Sequence, residues 1–434
     1  MQPLQRNLAA DFYRAFGVGL IVVGHWLLGS VTYHHDSSGA HFGLDNPLGA
    51  MPSTQWLTWI FQAVPVFFLV AGYAGSLSWK HRSRDTGSSR EDWLRHRLAR
   101  VLGPTAAYVA LVSLVIVGLQ VFGVGGSALR YGGWAIAMHL WFLSVYIMVV
   151  SLTPIAVAAQ RRWGVLTPAV LAIAAVAVDL ATRLGHVQHV GAVNYLLVWG
   201  LFYQLGIAWQ SGQIRPRAAL MLGVGSSITV LALVCVAHYP VSMIGVPGEK
   251  LHNTSPPSVA LLAFGCAQAG FAIAAAPTLS RRLNTPRIRS VLTVSNANVM
   301  ALYLWHMVPV VVVAAIVYPL ALFPQPALGS GPWWWTRLAW VAILCPAAGA
   351  EMLLLARLRR IFAAPLPIFG SPDSRGWSEL TLLAGAALAA YALHVFAGSG
   401  FAPDGHFASA TTALFATGVS LVALHPGAVR GYLP

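Results

Sequence analysis

Apolar residues run along this chain in long blocks separated by short polar and basic joints. The blocks cover roughly residues 8–31, 55–79, 98–122, 133–158, 165–183, 190–210, 218–238, 258–277, 290–318 and 334–355, with two weaker ones at 379–398 and 408–424. Most approach or exceed the ~20 apolar residues that a helix needs to cross a bilayer. The pattern predicts an all-α fold: a polytopic transmembrane helical bundle of about ten core helices plus one or two C-terminal helices. Neither end reads as a soluble domain. The longest joints on one side are 32–54 and 239–257.

Composition agrees with the pattern. Apolar residues make up 57% of the 434 and charged residues only 9%, against about 25% in soluble domains. The net charge of +14 raises nucleic acid as a partner, but the distribution excludes it. Basic residues gather in alternate joints: Arg6, the stretch 80–100, Arg161 and Arg162, Arg215 and Arg217, residues 281–289, 357–360, Arg375 and Arg430. Arg130, Arg183, Lys250 and Arg337 fall on the opposite side, and Arg14 lies within the first block. This is the positive-inside pattern. It predicts a multi-pass protein of the inner (plasma) membrane, with the bilayer as its first partner and the N-terminus in the cytoplasm. The first block lacks a small-residue cleavage site and is expected to stay as an anchor. Cys235, Cys266 and Cys345 each lie inside an apolar block, without metal-ligand spacing, and read as small packing residues.

Ionisable residues inside the blocks are costly and therefore point to chemistry. The first block carries Asp11, Arg14 and His25. Arg14 and His25 are three helical turns apart, on one face and about 16 Å along the axis, and Asp11 joins the same stripe. A second reading makes Asp11 and Arg14 a local ion pair at the membrane edge and His25 an interfacial residue. In the second block, Pro65 is expected to loosen the helix, and Gly72 and Gly75 to permit close helix approach. The basic joint 80–100 holds Arg95, Arg97 and Arg100 at the entry to the third block. Their planar forks suit phosphate; anionic lipid headgroups or topology alone also account for them. The fourth block holds His139, Trp141 and Tyr146. Trp and Tyr are ordinary interfacial anchors; His139 is the less ordinary residue.

Further along, Asp179 and Arg183 have the spacing of a local ion pair, and Glu351 near Arg357 is read similarly. The loop 239–257 carries His252, Asn253 and Thr254, whose amide and hydroxyl groups suit a sugar; a solvated turn closed by Pro256 and Pro257 is the plainer account. The ninth block is polar in its first half. Ser295 and His306 share one face, and Asn296 and Tyr303 another, so this helix is expected to face the bundle interior. His34, His35, Asp36, His41 and Asp45 are metal-capable types, but their spacing defines no site, and no metal is expected.

Five stretches, in this order, resemble acyltransferase family 3. They are the Asp11, Arg14, His25 opening, FFLVAGYAGS in the second block, RHRLARVLGP entering the third, HLWFLSVY in the fourth and LYLWHMVP in the ninth. The resemblance covers residues 6–320 and extends toward 360. It implies a transmembrane acyltransferase domain over 1–360 and a C-terminal extension over 361–434 with one or two further helices. Members move acyl groups, often acetyl, from acyl-coenzyme A to sugars or other envelope acceptors. Arg14 and His25 match the family's Arg-x10-His motif, and Arg97 and Arg100 its Arg-x-x-Arg motif. LVAGY departs from the Ser-Gly-Phe-like sequence of many members. The resemblance therefore implies that acetyl-CoA or another acyl-CoA docks on Arg97 and Arg100, with Arg95 beside them. Its pantetheine arm would extend toward His25, the general base, while Asp11 and Arg14 orient the helix or contact the donor. His139, Trp141, Tyr146, Asn253, Tyr303 and His306 are the candidate substrate contacts. The expected acceptor is a carbohydrate or glycolipid hydroxyl. A secondary transporter or flippase is the rival, since intramembrane His, Asp and Arg also serve proton relays.

Overall fold

The computed structural model describes residues 7–36, 39–85, 89–185, 187–370 and 378–425. Arg6, Arg375 and Arg430, counted above among the basic joints, lie outside them. The long helices are α1 Leu8–Leu28, α2 Val64–Asp85, α3 Arg90–Val121, α4 Gly126–Ala135, α5 Leu140–Ser151, α6 Thr153–Trp163, α7 Leu166–Leu184, α8 Asn194–Gln210, α9 Pro216–Cys235, α10 Val259–Arg282, α11 Pro286–Trp305, α12 Val308–Val317, α13 Gly331–Arg357, α14 Ser378–Ser399 and α15 Ser409–Ala423. A hairpin, β1 Ser30–Asp36 and β2 Gly39–Asp45, follows α1. Among the described residues nine helices are long and apolar enough to cross a membrane, or up to eleven if each of two bent pairs is one span. The protein is an all-α, multi-pass membrane protein.

Two expected spans are broken. The block 133–158 resolves into α4, α5 and α6, with α4 and α5 bent by 40°; α11 and α12 meet at 49°. The second break has a local cause. Pro309 lacks an N–H and crowds the preceding turn, so the helix cannot run through it unchanged. Pro65 does not loosen a helix interior as expected. It sits in the first turn of α2, where a missing N–H costs nothing.

Helix starts are chemically marked. Ser89 and Asp92 form a reciprocal capping box on α3, and Ser258 and Ser330 cap α10 and α13 with their hydroxyls.

The chain forms two compact units: Met1–Leu28, Asn46–His81 and Leu152–Val299 in the first, and Gly29–Asp45, Arg82–Ser151 and Met300–Pro434 in the second. In the first, α2 and α8 cross at glycines. A Cβ at Gly72 would strike the Tyr203 carbonyl, and one at Gly206 the Leu69 carbonyl. The expected close approach is thus present, with Gly206 as its partner. Gly206→Ala should overpack this crossing and cost about 2 kcal/mol, read as a lower thermal midpoint of the purified protein. The loop 239–257 is pinned to the segment before α2: Trp59 Nε1 donates to the Val241 carbonyl (2.8 Å) and Gln62 Nε2 to the Met243 carbonyl (2.9 Å).

In the second unit, α14 and α15 pack together, α14 lies on α5, and both contact α3. The C-terminal pair therefore belongs to the body of this unit.

Candidate active site

In the first unit α1 is held chiefly through its N-terminal half. The Asn7 carboxamide accepts from the Ala10 N–H (3.1 Å), satisfying an orphan donor of the first turn. The Ala9 N–H donates to Ser280 Oγ (3.2 Å) and the Tyr13 hydroxyl to the Ala272 carbonyl (2.7 Å), tying α1 to α10. Asn296 Nδ2, on α11, donates to the Asp11 carbonyl (2.9 Å). Near the other end Gly24 lies against Phe61, where a Cβ would approach to 2.8 Å. Leu8, Val18, Val22 and Trp26 are buried, while Asp11, Arg14 and His25 are half-buried. The stripe predicted from spacing therefore stands on a packed helix. Asn296 is an addition: its polarity was visible in the sequence, its contact with α1 was not. Its Oδ1 is buried without a hydrogen-bond partner among the described residues.

In the second unit the basic trio divides. Arg97 and Arg100 are three residues apart and share a face of α3, whereas Arg95 is 200° around the helix from Arg97. Arg95 is buried. Its Nη2 donates to Glu91 Oε1 (2.8 Å), and its Nη1 donates to the Val422 carbonyl (2.7 Å) and to that of Leu424. These carbonyls end α15, where a cation also complements the helix dipole. Arg95 is thus committed to holding the C-terminal helix on α3. Arg97 is half-buried, with Nη2 donating to the Tyr146 hydroxyl (3.4 Å), and Arg100 is exposed.

His139 and His306 both sit at helix breaks, His139 just before α5 and His306 just after α11. Both are buried, and their ring centroids are 4.9 Å apart. The break before α5 frees carbonyls that lipid cannot satisfy. Two tyrosines bond them: Tyr108 donates to the Ile136 carbonyl, and Tyr303 to that of His139, which also accepts the Phe142 N–H (3.2 Å). His306 Nδ1 lies 2.8 Å from the Tyr303 carbonyl. A carbonyl only accepts, so Nδ1 carries a proton. Tyr303, 5.2 Å from the His139 ring, and Trp305, 4.9 Å from Tyr108, complete an aromatic wall. Trp141 is half-buried, 6.4 Å from the Phe142 ring. The structure thus brings together His139, Tyr303 and His306, and separately Arg97 and Tyr146. Tyr108 was not singled out from the sequence, since its role depends on a break that no local residue announces.

Asn253 is fully buried and organises its own loop. Its Nδ2 donates to the carbonyls of Pro240 (2.6 Å) and Ser242 (2.9 Å), and its Oδ1 accepts from Ser258 Oγ (2.6 Å). The Asp179–Arg183 pair is present at 3.3 Å, and the Tyr239 hydroxyl donates to Asp179 Oδ2 at 2.6 Å. Burial, reinforced by Asp179, pushes the Tyr239 phenol up to about 12, so it stays a donor at neutral pH. Tyr239→Phe should cost about 1.5 kcal/mol of stability, seen as a modestly lower melting midpoint. Glu351 Oε2 is buried without a hydrogen-bond partner among the described residues, so the local pairing expected for it does not account for that oxygen. Among the described residues no three His, Cys, Asp or Glu side chains converge as a metal site.

No curated protein and no solved structure matches the chain. The family of the Acyltransferase domain, acyltransferase family 3, matches residues 7–352, most of the sequence. A multi-pass helical protein matched over that length belongs to acyltransferase family 3.

Proposed function

We propose that this membrane acyltransferase takes an acyl group, acetyl first, from cytoplasmic acyl-CoA to a hydroxyl of an envelope glycan or glycolipid in the inner (plasma) membrane. The observation that carries the reading is α1: a membrane helix with Arg14 and His25 on one stripe, held in place by three hydrogen bonds, from Ala9 to Ser280, from Tyr13 to Ala272 and from Asn296 to the Asp11 carbonyl. An imidazole kept inside a membrane span is expensive without a task.

Each residue takes one role. Arg97 and Arg100 hold donor phosphates, with the Tyr146 hydroxyl steadying Arg97. Neutral His25 accepts the proton of the acceptor hydroxyl. The hydroxyl oxygen bonds to the thioester carbon and the C–S bond breaks. The thiolate of coenzyme A leaves and takes a proton, which regenerates neutral His25. Asp11 and Arg14 orient α1 or contact the donor. His139, Trp141, Tyr303 and His306 contact substrate, and Asn253 shapes a loop that meets it.

Helices broken inside the membrane also mark transport sites, and the two bent spans favour that as the second reading. Calorimetric titration of acetyl-CoA into the purified protein separates the two. Saturable binding supports transfer. Silence toward acetyl-, succinyl- and longer acyl-CoA, in a folded and monodisperse sample, overturns it in favour of transport.

A further inference from the structure

A cavity in the second unit has no part in the roles above. Its floor is the hairpin, where Tyr33 pairs with Phe42 and His34 with His41. The Gln325 side chain extends the hairpin edge: Oε1 accepts from the Tyr33 N–H (2.8 Å) and Nε2 donates to the Tyr33 carbonyl (3.1 Å). The segment 318–330 is thereby clamped to β1 and leads into α13 at the Ser330 cap. Trp333 and Arg337, one turn apart on α13, close the space. The cavity is partly open and its volume is about 390 Å³, within the ~300–1,000 Å³ range of small-molecule sites.

The lining is mixed in a specific way. Thr32, His34, Asp45, Tyr318, Trp333 and Arg337 all face the cavity. Arg337 is buried, with its guanidinium carbon 5.5 Å from the Trp333 ring and 5.9 Å from that of Trp340. Tyr318 stacks on Trp340 with centroids 5.5 Å apart. Thr32 Oγ1 and a His34 ring nitrogen are 2.8 Å apart, so each can pass hydrogen-bond polarity to a guest. The cavity therefore offers a fixed cation, a carboxylate and two groups that donate or accept, beside the buried rings of Tyr318 and Trp333. A simple anion would meet Asp45, a simple cation Arg337, and an acyl chain would press hydrocarbon on the Asp45 carboxylate. A sugar ring satisfies every feature. Its hydroxyls donate to Asp45 and accept from Arg337, and its C–H groups meet the ring edges of Tyr318 and Trp333 that border the cavity.

We propose that this cavity seats a pyranose ring of the acceptor, held by Asp45 and Arg337. The proposal rests on the glycan-acceptor reading and adds its place and its contacts. Under the orientation set by the basic joints, the cavity lies on the outer side, where envelope glycans are exposed.

The test is saturation-transfer NMR on the full chain in lipid nanodiscs, with methyl pyranosides of glucose, galactose, mannose, rhamnose and N-acetylglucosamine as probes. At least one should bind saturably, and Asp45→Asn should weaken it about tenfold, the loss of one charge-assisted hydrogen bond. Arg337→Lys, which removes the planar fork, should do the same. Should that buried substitution unfold the protein, the half-buried Asp45→Asn decides alone. Absence of binding by all five probes, or equal binding in wild type and Asp45→Asn, overturns the proposal. Acetyl-CoA titration of the same samples separates the two claims. Donor binding without sugar binding removes the cavity and leaves acyl transfer. Sugar binding lost in Asp45→Asn, without donor binding, keeps the cavity and removes acyl transfer.

Discussion

His25→Ala is expected to lower acyl transfer by about three orders of magnitude while leaving the protein inserted and folded. General-base assistance contributes roughly 10²–10⁴-fold, and the substitution removes the only imidazole in α1. The fold should survive because α1 is also anchored through Ala9, Asp11 and Tyr13, and because removing a half-buried imidazole from a membrane span relieves a desolvation cost. Donor binding should also persist, since Arg97 and Arg100 are untouched. The signature is a folded variant that binds acetyl-CoA normally and does not transfer. Transfer at the wild-type rate in His25→Ala would remove the base assignment.

The second large effect is expected on donor binding. Arg97→Ala combined with Arg100→Ala should weaken acetyl-CoA binding about a hundredfold, from two charge-assisted hydrogen bonds of about 1.5 kcal/mol each. The size is set at the low end because Arg100 is exposed and water screens its contacts. Binding should grow more salt-sensitive in the wild type than in the variant, since exposed charge contacts weaken as salt rises. Arg95→Ala offers the contrast. Arg95 grips Glu91 and the end of α15, so its loss should lower thermal stability before it alters donor affinity. Unchanged donor affinity in the Arg97/Arg100 variant would place the phosphates elsewhere.

Much of this architecture could be read from the chain because lipid imposes a simple length rule. The spans at 8–31, 165–183, 218–238 and 334–355 correspond closely to α1, α7, α9 and α13. The bend between α11 and α12 was legible in principle through Pro309. That between α4 and α5 was not: no proline or glycine lies at 136–139, and the freed carbonyls are met by Tyr108 and Tyr303, far away in sequence. Proximity in sequence groups Arg95 with Arg97 and Arg100, although helical phase alone places it on the opposite face. Its partners, the carbonyls ending α15, no local pattern could supply. The hairpin after α1 read only as an outer loop, since its short strands are framed by contacts such as Gln325 with Tyr33. The His25–Arg14 stripe was legible because it needs nothing beyond helical geometry.

Acyl transfer from the cytoplasmic side by way of His25 is best tested with inside-out membrane vesicles from cells expressing the protein. Radiolabelled acetyl-CoA is supplied outside the vesicles, and label is followed into the glycan and glycolipid fractions, wild type beside His25→Ala. Label in the wild type and none above background in the variant is the predicted result. Equal labelling in both, or no labelling by wild-type protein that binds acetyl-CoA in membranes containing native acceptors, would contradict it.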